Sequence, residues 1–276
     1  MIWATDGFTL PASTIHLWFC EEQTIRKPET LALYRTLLSR DEIGQQAKFR
    51  FESDQHRFLV TRSLVRSVLS LYYPPVSPKE WQFTKNRYGR PGIANPIPLP
   101  LHFNLSHTDK MVLLAVAAEP WIGVDIETTQ RRNPGNELKL AERFFSEEEA
   151  RQLAELPDHG RKERFFQLWT LKEAYVKACG KGLAIPLDRF SFTFPDQVSI
   201  DISFAPEHQD NPQDWLFWQI RSSDGFYCSL ACRPSTKRTD IDIKMFSAFP
   251  LVRIKPVHFP FFRQKSFKRK ALKENL

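Results

Sequence analysis

Residues 121–127 read WIGVDIE, and residues 168–183 read LWTLKEAYVKACGKGL. In an extended segment residues two apart point the same way, so Asp125 and Glu127 aim two carboxylates at one face while Val124 and Ile126 turn to the other. In a helix residues four apart share a face, so Glu173 and Lys177 point together, with Trp169 one turn earlier. The first stretch predicts a strand and the second a helix. Gly180 and Gly182 follow that helix rather than open it, which predicts a C-cap and a turn instead of a phosphate loop. Three carboxylates and a lysine on such a strand and helix outline a divalent-metal site for a polyphosphate ligand. Mg2+ takes hard oxygen ligands and is commonly completed by phosphates. Asp125, Glu127 and Glu173 are the candidate metal ligands, and Lys177 is the candidate phosphate partner; alone, it would read as a solvated helix lysine.

Working outward, IHLWFC at 15–20 predicts a first strand, and helical periodicity runs over 29–39 and 41–51. Residues 53–72 form the clearest helix of the first half, with Ser53 as an N-cap candidate and Pro74–Pro75 as the stop. KMVLLAVAA at 110–118 reads as a buried strand. The two-residue break containing Pro120 predicts an antiparallel hairpin between it and 121–127. Helices near 136–143, 147–155 and 161–179 follow, then strands near 190–194, 199–204, 215–221 and 225–232. DGFYCSLACRP at 224–234 is patterned like DKMVLLAVAAEP at 109–120, which suggests a repeat of the same plan. The expected organisation is an α+β chain with one half at 1–120, a second at 121–236 carrying the metal site, and a basic, flexible tail at 237–276.

The net charge of +7 depends on where it sits. From Lys237 to Leu276 eleven Lys or Arg face three Asp or Glu, a net +8, which leaves −1 for residues 1–236. The body is therefore nearly neutral, and the basic pI of about 9.2 does not argue for nucleic-acid binding by the core. No apolar run approaches the roughly 20 residues of a spanning helix, and the N-terminus lacks a basic region followed by an apolar stretch. A cytoplasmic monomer without a membrane span is the expectation. Cys20, Cys179, Cys228 and Cys232 form no CxxC pair, so they are expected as free thiols. The segment PVHFPFFRQKSFKRK at 256–270 interleaves phenylalanine with basic residues; it suggests a solubilising extension or a contact with an anionic surface.

The two opening segments, with FFSEEE at 144–149 between them and YGRP at 88–91 and FNLSHT at 103–108 before them, resemble the ordered motif set of the Sfp-type 4'-phosphopantetheinyl transferases. The resemblance covers residues 15 to 233 and implies two similar α+β halves related by a pseudo-twofold axis, with the ligand site between them. It implies transfer of 4'-phosphopantetheine from coenzyme A to a serine of an acyl or peptidyl carrier protein, releasing 3',5'-ADP. The matching residues imply Mg2+ on Asp125, Glu127 and Glu173, and Lys177 as a pyrophosphate clamp. Ser106, His107 and Arg90 fall where coenzyme A phosphates are held, with arginine at Arg90 where lysine is frequent. Arg57 is a candidate for the nucleotide 3'-phosphate, against a plain solvated helix arginine. Positions where lysine can serve that phosphate are Glu42 and Gln45 here.

Glu149 has two readings. Ser146 to Glu149 is an S-x-x-E capping box, which needs no catalysis; the resemblance implies a general base for the incoming serine. Lys172 points away from Lys177 and is left outside the site. Two other functions are compatible with the residues. One is a metal-dependent nuclease, against which the neutral body argues; the other is a coenzyme A binding module without turnover, against which the three carboxylates argue.

Overall fold

A computed structural model describes residues 8–129, 136–222, 225–236 and 241–265. Its framework is a pair of stacked sheets, each covered on its outer face by one long helix. Chain order is β1 (Thr14–Glu21), α1 (Pro28–Arg35), α2 (Arg40–Gln46), α3 (Glu52–Tyr72), β2 (Phe83–Lys85), β3 (Pro91–Ile93), β4 (His102–Thr108), β5 (Met111–Ala117) and β6 (Ile122–Thr128). Then come α4 (Glu137–Phe144), α5 (Glu147–Ala154), α6 (Asp158–Cys179), β7 (Phe190–Thr193), β8 (Asp201–Phe204), β9 (Leu216–Arg221), β10 (Phe226–Cys232), β11 (Asp242–Phe249), β12 (Arg253–Val257) and β13 (Phe261–Gln264). The first sheet runs β12-β11-β1-β5-β4 and the second β13-β9-β10-β6. β2 pairs with β3 and β7 with β8 as separate two-stranded pieces. The fold class is α+β, as expected.

Strand alternation sorts the apolar residues into three layers. Ile15, Leu17 and Phe19 of β1, with Leu113, Ala115 and Ala117 of β5, face the second sheet and meet Ile122, Val124 and Ile126 of β6. The intervening Trp18, Cys20, Val112, Leu114 and Val116 face α3 and meet Leu64, Val65 and Val68. On the far side, Phe217, Tyr227 and Ala231 meet Leu171, Ala174, Tyr175 and Ala178 of α6. β5 reads as an unbroken apolar run because both of its faces are buried. Each fully buried aliphatic side chain here contributes about 1.5–3 kcal/mol.

Three expectations change. The first concerns the hairpin between 110–118 and 121–127, which does not form. β5 is already paired on both sides, with β1 and β4, so the chain crosses at Pro120 into the other sheet and β6 pairs with β10 instead. The second concerns the tail: residues 242–264 are not a flexible extension. β11 lies parallel beside β1, β12 folds back on β11, and β13 joins the second sheet beside β9. Met245, Phe246, Ala248 and Ile254 are buried, and the Tyr34 hydroxyl donates to the Pro250 carbonyl at 2.8 Å. Composition masked a strand alternation in DIKMFSAF that places its lysine outward. Residues 237–240 and 266–276 lie outside the described residues. Third, α3 starts at Glu52, with Phe51 rather than Ser53 as its N-cap.

The strands patterned alike in sequence, β5 and β10, occupy interior positions of their respective sheets. Gly123 lets α6 approach β6: a Cβ there would stand 2.1 Å from the Ala174 carbonyl and 2.4 Å from the Ala178 nitrogen. Among the described residues no helix is long and apolar enough to cross a membrane.

Truncation after Ser235 removes two strands, β11 and β12, from the first sheet and one, β13, from the second, and is expected to abolish cooperative thermal melting; an unchanged melting curve would show these strands to be accessory. Gly123→Ala is expected to cost about 1–3 kcal/mol in urea unfolding, as overpacking against backbone does.

Candidate active site

β4 and β6 are edge strands of different sheets, and side chains join them where a ladder would otherwise run. The Asn104 side-chain oxygen accepts from the Val124 N–H at 3.0 Å, and Ser106 Oγ accepts from the Ile126 N–H at 3.3 Å. The alternation N-x-S-x-T at 104, 106 and 108 puts all three polar side chains on this seam, and the Thr108 hydroxyl reaches Glu127 at 3.4 Å. The Ser106 hydroxyl donates to Asp125 Oδ1 at 2.8 Å.

α6 completes the cluster. Glu173, Val176, Lys177 and Gly180 recur at three and four residues, and all four line a cavity of about 330 Å3 with Tyr88, Arg90, Asn104 and Leu105. Lys177 Nζ stands 2.6 Å from Asp125 Oδ1 and donates to Ser106 Oγ at 3.0 Å. Asp125 is 4% exposed, and its second oxygen, Oδ2, is buried without a hydrogen-bond partner. The Glu173 carboxyl is pushed up from the ordinary glutamate value, first by burial and then by the negative charge of Asp125, against the pull of Lys177. Gly180 ends α6 at φ 66° in the left-handed region, so it is the helix C-cap.

Among the described residues no three His, Cys, Asp or Glu side chains form a ready-made metal cluster. The chemistry of the set nonetheless suits a cation. Burial, and after it the charge of Asp125, raises the Glu173 carboxyl, and an oxygen of Asp125 is unsatisfied. A hard divalent ion would relieve both.

Of the remaining candidates only Arg90 lines this cavity. His107 is exposed on β4, at the alternate position to Ser106, so the seam and His107 are on opposite faces of the strand. Arg57 lies in a separate cleft of about 720 Å3 at the start of α3. It is held by Glu22 at 3.3 Å, Asp54 at 3.5 Å and Asp109 at 3.6 Å. Arg90 lines the 330 Å3 cavity but spends its guanidinium on three carbonyls: Ala178 at 2.7 Å, Pro120 at 2.8 Å and Ile122 at 3.0 Å. It ties the β2–β3 turn to the sheet crossover and to the end of α6. Glu42 is buried against Arg62 and Arg66.

Glu149 is not brought to the cavity. It is 1% exposed, completes the capping box with Ser146, and accepts from the Phe192 N–H at 2.9 Å. Its Oε2 stands 2.7 Å from Lys172 Nζ, which is itself fully buried and donates to the Leu187 and Phe190 carbonyls at 2.7 and 2.6 Å. The reading of Glu149 as a cap therefore holds, with a buried ion pair that the sequence did not reveal. Lys172 follows Leu171 and precedes Glu173, and nothing in that spacing separates a buried lysine from a solvated one. Asn104 was also missed, although its alternation with Ser106 and Thr108 is visible in the sequence.

A family model for the 4'-phosphopantetheinyl transferase superfamily matches residues 122–231, and one for the 4'-phosphopantetheinyl transferase N-terminal region matches residues 26–120. The chain is 34% identical over 176 residues to the 4'-phosphopantetheinyl transferase Sfp of Bacillus subtilis (strain 168), covering 63% of this chain and 75% of that protein. It is 36% identical over 181 residues to the 4'-phosphopantetheinyl transferase HetI of Nostoc sp. (strain PCC 7120), covering 64% and 73%. A third transferase, ffp of Bacillus subtilis, is 37% identical over 162 residues, covering 58% and 68%. With strands of both sheets inside the matched residues and relatives covered to three quarters of their length, this chain belongs to the 4'-phosphopantetheinyl transferase superfamily, a family of enzymes.

Proposed function

We propose that this chain moves the 4'-phosphopantetheine arm of coenzyme A onto a serine of an acyl or peptidyl carrier protein. The observation that carries this reading is the cavity beside Lys177 and Glu173, where Lys177 holds Asp125 and Ser106 and Asp125 keeps one buried oxygen unpaired. Mg2+ would be held by Asp125, Glu127 and Glu173, and when bound it supplies charge neutralisation for a pyrophosphate.

The serine oxygen forms a bond to the β-phosphorus while the bond to 3',5'-ADP breaks. Lys177 uses two of its N–H donors on Asp125 and Ser106, which leaves a third for a phosphate oxygen. Glu173 is the carboxylate among the residues lining the cavity, where it would hold the ion, and the serine proton leaves to bulk water. Ser106 holds Asp125 and the β6 backbone in place. His107 lies on the face of β4 opposite this seam, the face that carries Leu105 of the cavity wall. Glu149 and Lys172 support α5 and α6 rather than touch substrate, and Arg90 sets the cavity wall.

Incubation with coenzyme A, Mg2+ and an apo carrier is expected to add about 340 Da to the carrier by intact mass, the phosphopantetheinyl group; no gain across a panel of carriers would sink the reading. Glu173→Gln is expected to lower the rate by about 10²-fold or more. It should also change stability. A carboxyl raised in the folded state disfavours folding as pH climbs from the ordinary glutamate range through the raised value. The glutamine variant should therefore melt higher than wild type at neutral pH without Mg2+. It should also lose the Mg2+-dependent rise in melting temperature.

Glu149→Gln leaves Lys172 buried and unpaired, and is expected to cost about 3–5 kcal/mol. Replacing Lys172 by Met in the same protein should recover much of that loss and restore transfer. A stable Glu149→Gln protein with no turnover would instead return Glu149 to a catalytic role.

A further inference from the structure

Where β1 ends and β5 begins, the two sheets part around a second cavity, of about 270 Å3. Its floor is Phe19 and Met111 from the first sheet and Ile126, Ile220 and Cys228 from the second, each 7% exposed or less. Phe259 closes one side, packed edge-on against Phe19 with ring centroids 4.9 Å apart. The rim is different in kind. Arg253, Lys255 and Val257 alternate along β12 and so leave the strand on one face, where all three line the cavity. The Ser222 and Ser247 hydroxyls and one carboxylate, Glu21, complete it. Arg253 and Lys255 are exposed, and neither has an ion-pair partner among the described residues.

We propose that this cavity binds a straight-chain fatty carboxylate, its alkyl chain on the apolar floor and its head group at Arg253 and Lys255. The floor offers an alkyl chain five apolar side chains and no charge, which is what draws such a chain out of water. At the rim two cations oppose one carboxylate, so an anionic head is favoured over a cationic one. The cavity shares no lining residue with the one beside Lys177. Its rim strand and Phe259 lie outside residues 26–120 and 122–231, which the family models match. The site stands independently of the proposed transfer.

Calorimetric titration of the full chain with decanoate tests it, with decyltrimethylammonium as the opposite-charge probe. Saturable one-to-one binding of decanoate, and none of the cationic probe, is expected. Reversing both rim charges, Arg253→Glu with Lys255→Glu, should weaken decanoate binding about tenfold or more. Ser247→Trp, which places an indole at the half-buried lining position opposite Lys255, should abolish it with melting temperature unchanged. If that variant melts lower, the charge reversal on two exposed residues still decides the question. No saturable binding of decanoate, equal binding of both probes, or unchanged affinity in the charge-reversed protein overturns the proposal.

Discussion

The rest of this structure depends on the seam between β4 and β6. Two sheet edges that could have continued one ladder are instead joined by side chains. Asn104 and Ser106 accept the Val124 and Ile126 N–H groups that would otherwise be buried unpaired. Because the join is made by side chains, one of them can do a second thing. Ser106 accepts from the backbone and donates to Asp125, so the bond that holds the sheets together also orients the carboxylate. Gly123 acts from the other direction, letting α6 come close enough that Lys177 reaches the same two residues.

Two lysine–carboxylate pairs five residues apart on α6 illustrate how solvent access divides structure from chemistry. Lys172 and Glu149 form a pair with no access to water, with every polar neighbour already committed to a backbone group. Such a pair fixes how α5 and α6 meet, and it is unavailable to a substrate. Lys177 and Asp125 form the same kind of contact at the wall of a cavity, with the lysine side chain 27% exposed and one carboxylate oxygen unsatisfied. The second pair is incomplete where the first is closed, and an incomplete buried polar group beside a cavity is where a ligand gains most.

The last three strands change how the molecule is divided. β11 and β12 extend the first sheet beyond β1, while β13 closes the far edge of the second. A chain that returns from its C-terminus to both sheets ties them together at the side away from the β4–β6 seam. The same return builds one wall of the second cavity, from Ser247, Arg253, Lys255, Val257 and Phe259.

The sequence by itself determined the α+β class, the long helices α3 and α6, the strands β1, β5, β6 and β7 to β10, and which candidate side chains share a face. Asp125 and Glu127 at period two, and Glu173 and Lys177 at period four, each share a face by local geometry alone. The Ser146–Glu149 capping box was legible for the same reason, because its partners are three residues apart. What only tertiary structure decided involves partners far apart in the chain. Whether β5 pairs with β6 depends on β1 being there first. Whether residues 242–264 are tail or strand depends on a free edge at β1, more than two hundred residues earlier. Arg90 and Lys172 look like other basic residues until the carbonyls and the carboxylate that surround them are in place. Local spacing fixes which way a side chain faces, and only the packed chain fixes what it faces.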